Sequence, residues 1–246
     1  MNGFFNLDGP FYKWGTELAD VMILSLLWLV CSLPVFTVGA STTALFYVYG
    51  KKVRGEDPYV FKSFFKSFKD NFRQSTVITI ILGVLWLSVF LYYKILTGGS
   101  AQTWLKIMGL FYILQVIVIT LYVFPILSRF EMTIKNLLIT SFLFGNKHLP
   151  TTIGCGILFG GFLFLIMTPT PLLIFAFGIY ALLSSYLFQN VFTRYIEERE
   201  KQAQLKEEGE EEEDLEALEM LGELEGLEDL KDLDGIENFE EEEDEG

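Results

Sequence analysis

Histidine is nearly missing from this chain: His148 stands alone among 246 residues, beside two cysteines. With no Cys/His cluster at ligand spacing, neither a zinc nor a haem site has support, and no metal or other cofactor is expected. Cys31 and Cys155 both fall in apolar segments, where a free thiol behaves as a small hydrophobe, so no disulfide is expected between them. A glycine-rich phosphate loop and a Ser/His/Asp set are lacking too, and no Asp or Glu is centred in any long apolar segment. These absences speak against nucleotide hydrolysis, an intramembrane hydrolase and a carboxylate proton relay. The chain is expected not to be an enzyme, and no nucleic-acid partner is expected. A positive leader is also wanting. Residues 1–20 hold Asp8, Glu17 and Asp20 against Lys13 alone, so the apolar run that follows is expected to be retained rather than cleaved as a signal peptide.

What the chain does have is apolar length. Hydrophobic residues make up 51% of it, although 32 Asp/Glu against 18 Lys/Arg give a formal charge of −14. The acids are not spread evenly. Residues 1–195 carry 14 Lys/Arg and 7 Asp/Glu, a net of +7, and residues 196–246 carry 4 and 25, a net of −21. Two regions follow: an integral membrane domain over residues 1–195 and an acidic, low-complexity cytoplasmic tail over 196–246. In the tail, Leu215, Leu218, Leu221, Leu224, Leu227, Leu230 and Leu233 recur every third residue. A strict triplet drifts around a 3.6-residue helix and forms no seam, so the tail is expected to be disordered. Docking on a basic partner and simple solvation both stay open for it.

The first apolar run, Leu18 to Tyr49, would measure about 48 Å as one helix against a hydrocarbon core of about 30 Å. It must tilt or break, and Leu33-Pro34-Val35-Phe36-Thr37-Val38-Gly39-Ala40-Ser41-Thr42-Thr43 is where a break is expected. Pro34, Thr37, Gly39, Thr42 and Thr43 are candidates for a helix break or a ligand path, together with Gln115, a polar residue in mid-span. Four further spans are expected: Ser75–Tyr93, Trp104–Leu127, Thr151–Met167 and Pro171–Asn190. Gly156 and Gly160 offer a small-xxx-small packing face; they can equally be filler in an apolar span.

Charge assigns the loops. Lys51 to Arg73 holds seven Lys/Arg and is expected on the cytoplasmic side. Alternation from there gives about five spans, with the N-terminus outside and the C-terminal tail in the cytoplasm. A re-entrant hairpin over Leu18–Tyr49 is the competing arrangement and would move the N-terminus inside. Within the basic loop, Phe61, Phe64, Phe65, Phe68 and Phe72 form one apolar stripe at helical spacing, flanked by Lys62, Lys66, Lys69 and Arg73. Such a helix is expected to lie on the bilayer surface. At the inner end of the third span, Arg129 and Glu131 are candidates for interfacial pairing, Glu131 with the Lys62/Lys66/Lys69 row. Residues 58–128 and 133–193 carry a weak internal echo, each a surface helix followed by two spans. The fold class expected is all-α: a polytopic membrane helix bundle with interfacial amphipathic helices.

Several of these blocks resemble the YesL-like family of bacterial membrane proteins, found mostly in Gram-positive bacteria. The resemblance rests on Phe5-Asn6-Leu7-Asp8-Gly9-Pro10, Ala19-Asp20, Leu33 to Leu45, the Phe-rich block Phe61 to Phe72, and Arg129-Phe130-Glu131. The acidic tail departs from the family pattern. The resemblance implies a protein of the cell membrane with no established activity, often encoded beside carbohydrate ABC-transporter components. From it follow the expected partners, the lipid bilayer and carbohydrate ABC-transporter subunits, and an accessory or regulatory role in carbohydrate transport. A small secondary transporter or channel is the alternative. Oligomeric state is not readable from the sequence.

Overall fold

The computed structural model describes residues 10–97, 102–166, 175–205 and 209. Expectations placed on residues 1–9, on the 168–171 link and on the tail beyond residue 209 lie outside them. Among the described residues the protein is helical, with no strand. The helices are α1 (Pro10–Cys31), α2 (Val38–Val53, preceded by a 3-10 turn at Val35–Thr37), α3 (Val60–Thr97), α4 (Thr103–Arg129), α5 (Ile134–Lys147) and α6 (Leu149–Ile166), followed by α7 (Phe175–Leu205). The chain divides into two units, Met1–Phe192 and Thr193–Gly246. Among the described residues three helices, α3, α4 and α7, are long and apolar enough to cross a membrane. A fourth crossing results if α5 and α6, bent by 100° at their joint, count as one broken span. The exteriors fit that solvent: Ile80, Val84 and Leu87 on α3 and Ile107, Leu110 and Phe111 on α4 are all more than half exposed. A contiguous apolar surface of this extent would not be stable in water.

The break in the first apolar run falls where Pro34 removes a backbone donor. Thr37 Oγ1 donates to the carbonyls of Cys31 and Pro34, 2.6 Å each, and so closes the turn. The chain then reverses direction. Trp28 Nε1 donates to Thr42 Oγ1 at 3.1 Å near the turn, and Asp20 pairs with Lys52 at the far end. Leu18–Tyr49 is therefore an antiparallel hairpin and not a single kinked span, because a single span would put Asp20 and Lys52 at opposite ends. The hairpin is also short. Gly39 lies against Ser75 and Thr79, so the turn sits beside the middle of α3, and about 18 residues of α3, about 27 Å, continue beyond that level.

Helix α2 is the centre of the packing, with Gly39 through Phe46 buried. A Cβ at Gly39 would stand 2.8 Å from the Ser75 carbonyl oxygen and 2.9 Å from Phe124, so only glycine lets α2, α3 and α4 approach this closely. The Thr43 and Ser75 hydroxyls meet at 3.1 Å one turn further on. Helices α3 and α4 pair antiparallel, Trp86 Nε1 donating to Thr120 Oγ1 at 3.2 Å.

Two expectations about surface helices change. The Phe/Lys segment is not a separate helix: α3 runs unbroken for 38 residues, about 57 Å, from the basic stretch into the span. Its buried residues, Phe64, Ser67, Ser75, Ile78, Leu82 and Val89, form one seam through both halves. Phe64 is thus turned into the protein, while Phe61 and Phe65 stay exposed. The second segment, α5, runs back along α4. A Cβ at Gly145 would meet Val118, and Asn146 exchanges hydrogen bonds with Gln115. The two halves of the internal echo therefore differ, since one basic segment is continuous with its span and the other joins α6 through a 100° bend. In the α6–α7 pair, the glycine under a neighbour is Gly154, against Leu187; among the described residues nothing lies within 4 Å of a Cβ at Gly156 or Gly160. Both cysteines are free.

Candidate functional site

The basic end of the bundle, where α2, α4 and α7 finish or pass, holds two polar recesses beside a half-buried charge. Pro125 lies within the last turn of α4, and Ser128 Oγ donates back to the Pro125 carbonyl at 2.7 Å. The helix ends at Arg129, and Phe130 leaves it in an extended conformation. Arg129 is half-buried. Its Nη1 donates to Gln189 Oε1 at 3.0 Å, and its guanidinium lies 5.4 Å from the centroid of the Phe192 ring. Phe192 is held in turn by Phe188, stacked at 5.6 Å, and by Phe130, edge-on at 5.5 Å. The aromatic set fixes the charge in place.

A cavity of about 280 Å³ opens beside this guanidinium, lined by Phe46, Tyr47, Gly50, Arg54, Ser128, Ser185, Phe188 and Gln189 among others. A second recess of about 450 Å³ lies on the side toward α3, with Lys66, Asp70, Asn71, Gln74 and Glu131 in its wall. Tyr47, Ser128 and Arg129 line both, so Arg129 forms part of the partition between them. Gln74 Nε2 donates to the Met132 carbonyl at 2.7 Å and fastens α3 to the α4–α5 link.

The charges around the cavity are unequally satisfied. Arg54 binds Glu56, with Nη2 to Oε1 at 2.8 Å, and Lys51 reaches the same carboxylate at 3.4 Å. Desolvation works to raise the Glu56 carboxyl, but the Arg54 hydrogen bond and the Arg54 and Lys51 charges outweigh it and hold it below its usual range. Arg129, by contrast, has no carboxylate within 4 Å among the described residues. A third recess of about 520 Å³ surrounds the Asp20–Lys52 pair, with Glu17, Glu56 and Asp57 at its rim.

The residues singled out from sequence are brought together only in part. Thr37, Thr42 and Thr43 are buried, and each hydroxyl bonds within the hairpin: Thr42 Oγ1 to the Val38 carbonyl at 2.7 Å, and Thr43 Oγ1 to the Gly39 carbonyl at 2.9 Å. Pro34 is exposed at the turn, and Gly39 is a packing contact. These five hold or pack the turn and line none of the three recesses. Gln115 forms a reciprocal amide pair with Asn146, at 3.2 and 3.1 Å. Lys62, Lys66, Lys69 and Arg73 are exposed, Phe64 is buried, and Phe68 and Phe72 are half-buried. Glu131 forms no ion pair within 4 Å among the described residues and faces the same recess as Lys66. Sequence reasoning missed the meeting of Arg129 with Gln189 and Phe192. The signal in hand was that polar residues close two different spans at the same charge-assigned end.

The arrangement is one of binding groups: a fixed guanidinium, an amide, serine hydroxyls and aromatic walls. Among the described residues no group of three His, Cys, Asp or Glu side chains could hold a metal ion. Comparison with known proteins agrees on a family rather than an activity. The family described as "Protein of unknown function, DUF624" matches residues 21–93, which span the hairpin and most of α3. The "Uncharacterized protein YesL" of Bacillus subtilis (strain 168) is 27% identical over 197 residues, covering 80% of this chain and 93% of that protein. No solved structure matches. Together the two matches support a likeness to the YesL-like proteins, a family described as having unknown function.

Proposed function

We propose that this chain is a non-enzymatic, multi-pass protein of the cell membrane that serves as an accessory or regulatory subunit of a carbohydrate transport system. The observation that carries the reading is the continuity of α3. Lys62, Lys66, Lys69 and Arg73 are exposed on a helix whose other half is an apolar span and whose seam is packed in the bundle. A basic row held this rigidly suits recognition of a partner's acidic surface. The genomic neighbourhood implied by the resemblance points to transporter subunits as that partner. By the charge rule the basic end faces the cytoplasm. In this reading the Asp20 end of α1, which pairs with Lys52, and the tail both lie on the cytoplasmic side. Affinity purification from detergent-solubilised cells tests the proposal. Transporter subunits should co-purify, and should be lost when Lys62, Lys66 and Lys69 are all replaced by Glu. Reproducible absence of any transporter subunit overturns it.

A small secondary transporter is the second reading, favoured by the turn at Leu33–Phe36 and the 100° joint between α5 and α6. Interrupted helices are where such proteins place substrate. Purified protein in liposomes that moves no sugar or ion from a broad panel removes this reading.

A further inference from the structure

We infer that the cavity beside Arg129 is a binding site for a phosphate group carrying a hydroxyl-bearing substituent, independently of any transport partner. The argument starts from the charge. A half-buried guanidinium with no carboxylate within 4 Å among the described residues is costly at the end of a membrane helix, and such groups persist where they meet an anion. Arg129 offers five N–H donors in a planar fork, and one of them serves Gln189. Because Gln189 Oε1 accepts that bond, its Nε2 is left as a second donor beside the cavity. A fork with an adjacent amide donor matches the geometry of phosphate oxygens.

The remaining walls select what is attached. Ser128 Oγ donates to the Pro125 carbonyl and Ser185 Oγ to the Ala181 carbonyl, both at 2.7 Å. Each hydroxyl therefore presents only lone pairs to the cavity, and lone pairs accept from a ligand hydroxyl. Phe46 and Phe188 supply apolar contact for carbon. Arg54 also lines the cavity, with its charge already matched by Glu56. Lys66, Asp70 and Glu131 face the neighbouring recess rather than this one. A volume of about 280 Å³ holds a phosphate with a three-carbon polyol. That chemistry comes from two sources, the headgroup of phosphatidylglycerol or a free glycerol phosphate.

Native mass spectrometry on the full chain in detergent distinguishes them, using phosphatidylglycerol against phosphatidylcholine, with sn-glycerol 3-phosphate titrated separately by thermal shift. Wild-type protein should retain phosphatidylglycerol over phosphatidylcholine. Gln189→Glu, nearly isosteric, puts a carboxylate on the guanidinium and should lower occupancy at least tenfold; Arg129→Gln should do the same. Gln189→Glu keeps the test valid if Arg129→Gln fails to fold. Lys106→Gln, which removes an exposed cation on α4 outside the cavity, should leave occupancy unchanged. A thermal shift with sn-glycerol 3-phosphate that vanishes in Gln189→Glu, without lipid selectivity, supports the site and assigns the free phosphate. The site is refuted if wild-type protein binds neither probe selectively. It is equally refuted if Lys106→Gln lowers retention as much as Gln189→Glu does.

Discussion

Gly39→Ala adds one methyl group at the point where α2, α3 and α4 meet. That methyl would stand 2.8 Å from the Ser75 carbonyl oxygen and 2.9 Å from Phe124, and would also run into Thr79 Oγ1. The Thr79 hydroxyl donates to the same Ser75 carbonyl at 2.8 Å, so moving it aside breaks a hydrogen bond. Backbone cannot yield as a side-chain tip can, which puts the cost near the top of the overpacking range, about 3 kcal/mol. Alanine returns about 1 kcal/mol through helix propensity. The net loss is about 2 kcal/mol, a fall in melting temperature of about 4–8 °C for a domain of this size. Gly156→Ala is the control, because nothing among the described residues lies within 4 Å of its Cβ. There the propensity gain acts alone, and the melting temperature should hold or rise by about 2–4 °C. The assay is thermal unfolding in one detergent, followed by the loss of far-ultraviolet ellipticity. A Gly39→Ala protein that melts at or above wild type would refute the three-helix junction. So would a Gly156→Ala protein that falls as far.

Two further outcomes follow from hydrogen bonds and from the hairpin. In a double-mutant cycle on Gln115→Ala and Asn146→Ala, the coupling energy should be about 0.5–1.5 kcal/mol, the range for polar pairs between membrane helices. A coupling near zero would mean that α5 does not run back along α4. Asp20→Cys combined with Lys52→Cys should be joined by a short bifunctional thiol reagent in a Cys31→Ser, Cys155→Ser background. Absence of the internal crosslink, with both thiols shown to be reactive, would restore the single kinked span.

Much of the fold was legible because it depends on local composition. The apolar segments, the break beginning near Leu33-Pro34 and the basic row at Lys62 to Arg73 each follow from a few neighbouring residues. Direction was not legible. Hydropathy assigns the same profile to a kinked span and to a hairpin, and contacts such as Asp20–Lys52 and Trp28–Thr42 separate them. The phase of the aromatic stripe was misread for a related reason. Over Phe61–Phe72 alone, all five rings share a face, but the three- and four-residue steps from Phe64 and Ser67 through Ser75, Ile78 and Leu82 continue past Arg73. Read over the whole helix, they pick out Phe64 as the buried ring. Glycine spacing likewise marked Gly156 and Gly160, whereas contact selects Gly39, Gly145 and Gly178, whose neighbours come from other helices. Arg129 and Gln189 are 60 residues apart, and no local pattern joins them.

The unbroken α3 has a consequence for how this chain can vary. Because the basic row and the buried seam share one cylinder, they also share one rotational phase. A single residue inserted between Arg73 and Ser75 would turn the row by about 100° and lift it about 1.5 Å relative to the bundle. Four inserted residues would bring the row back to within about 40° of its facing while moving the charges out by about 6 Å. A hinge would absorb either change. Here the spacing between the two halves is itself part of the design, and length along α3 is as constrained as residue identity.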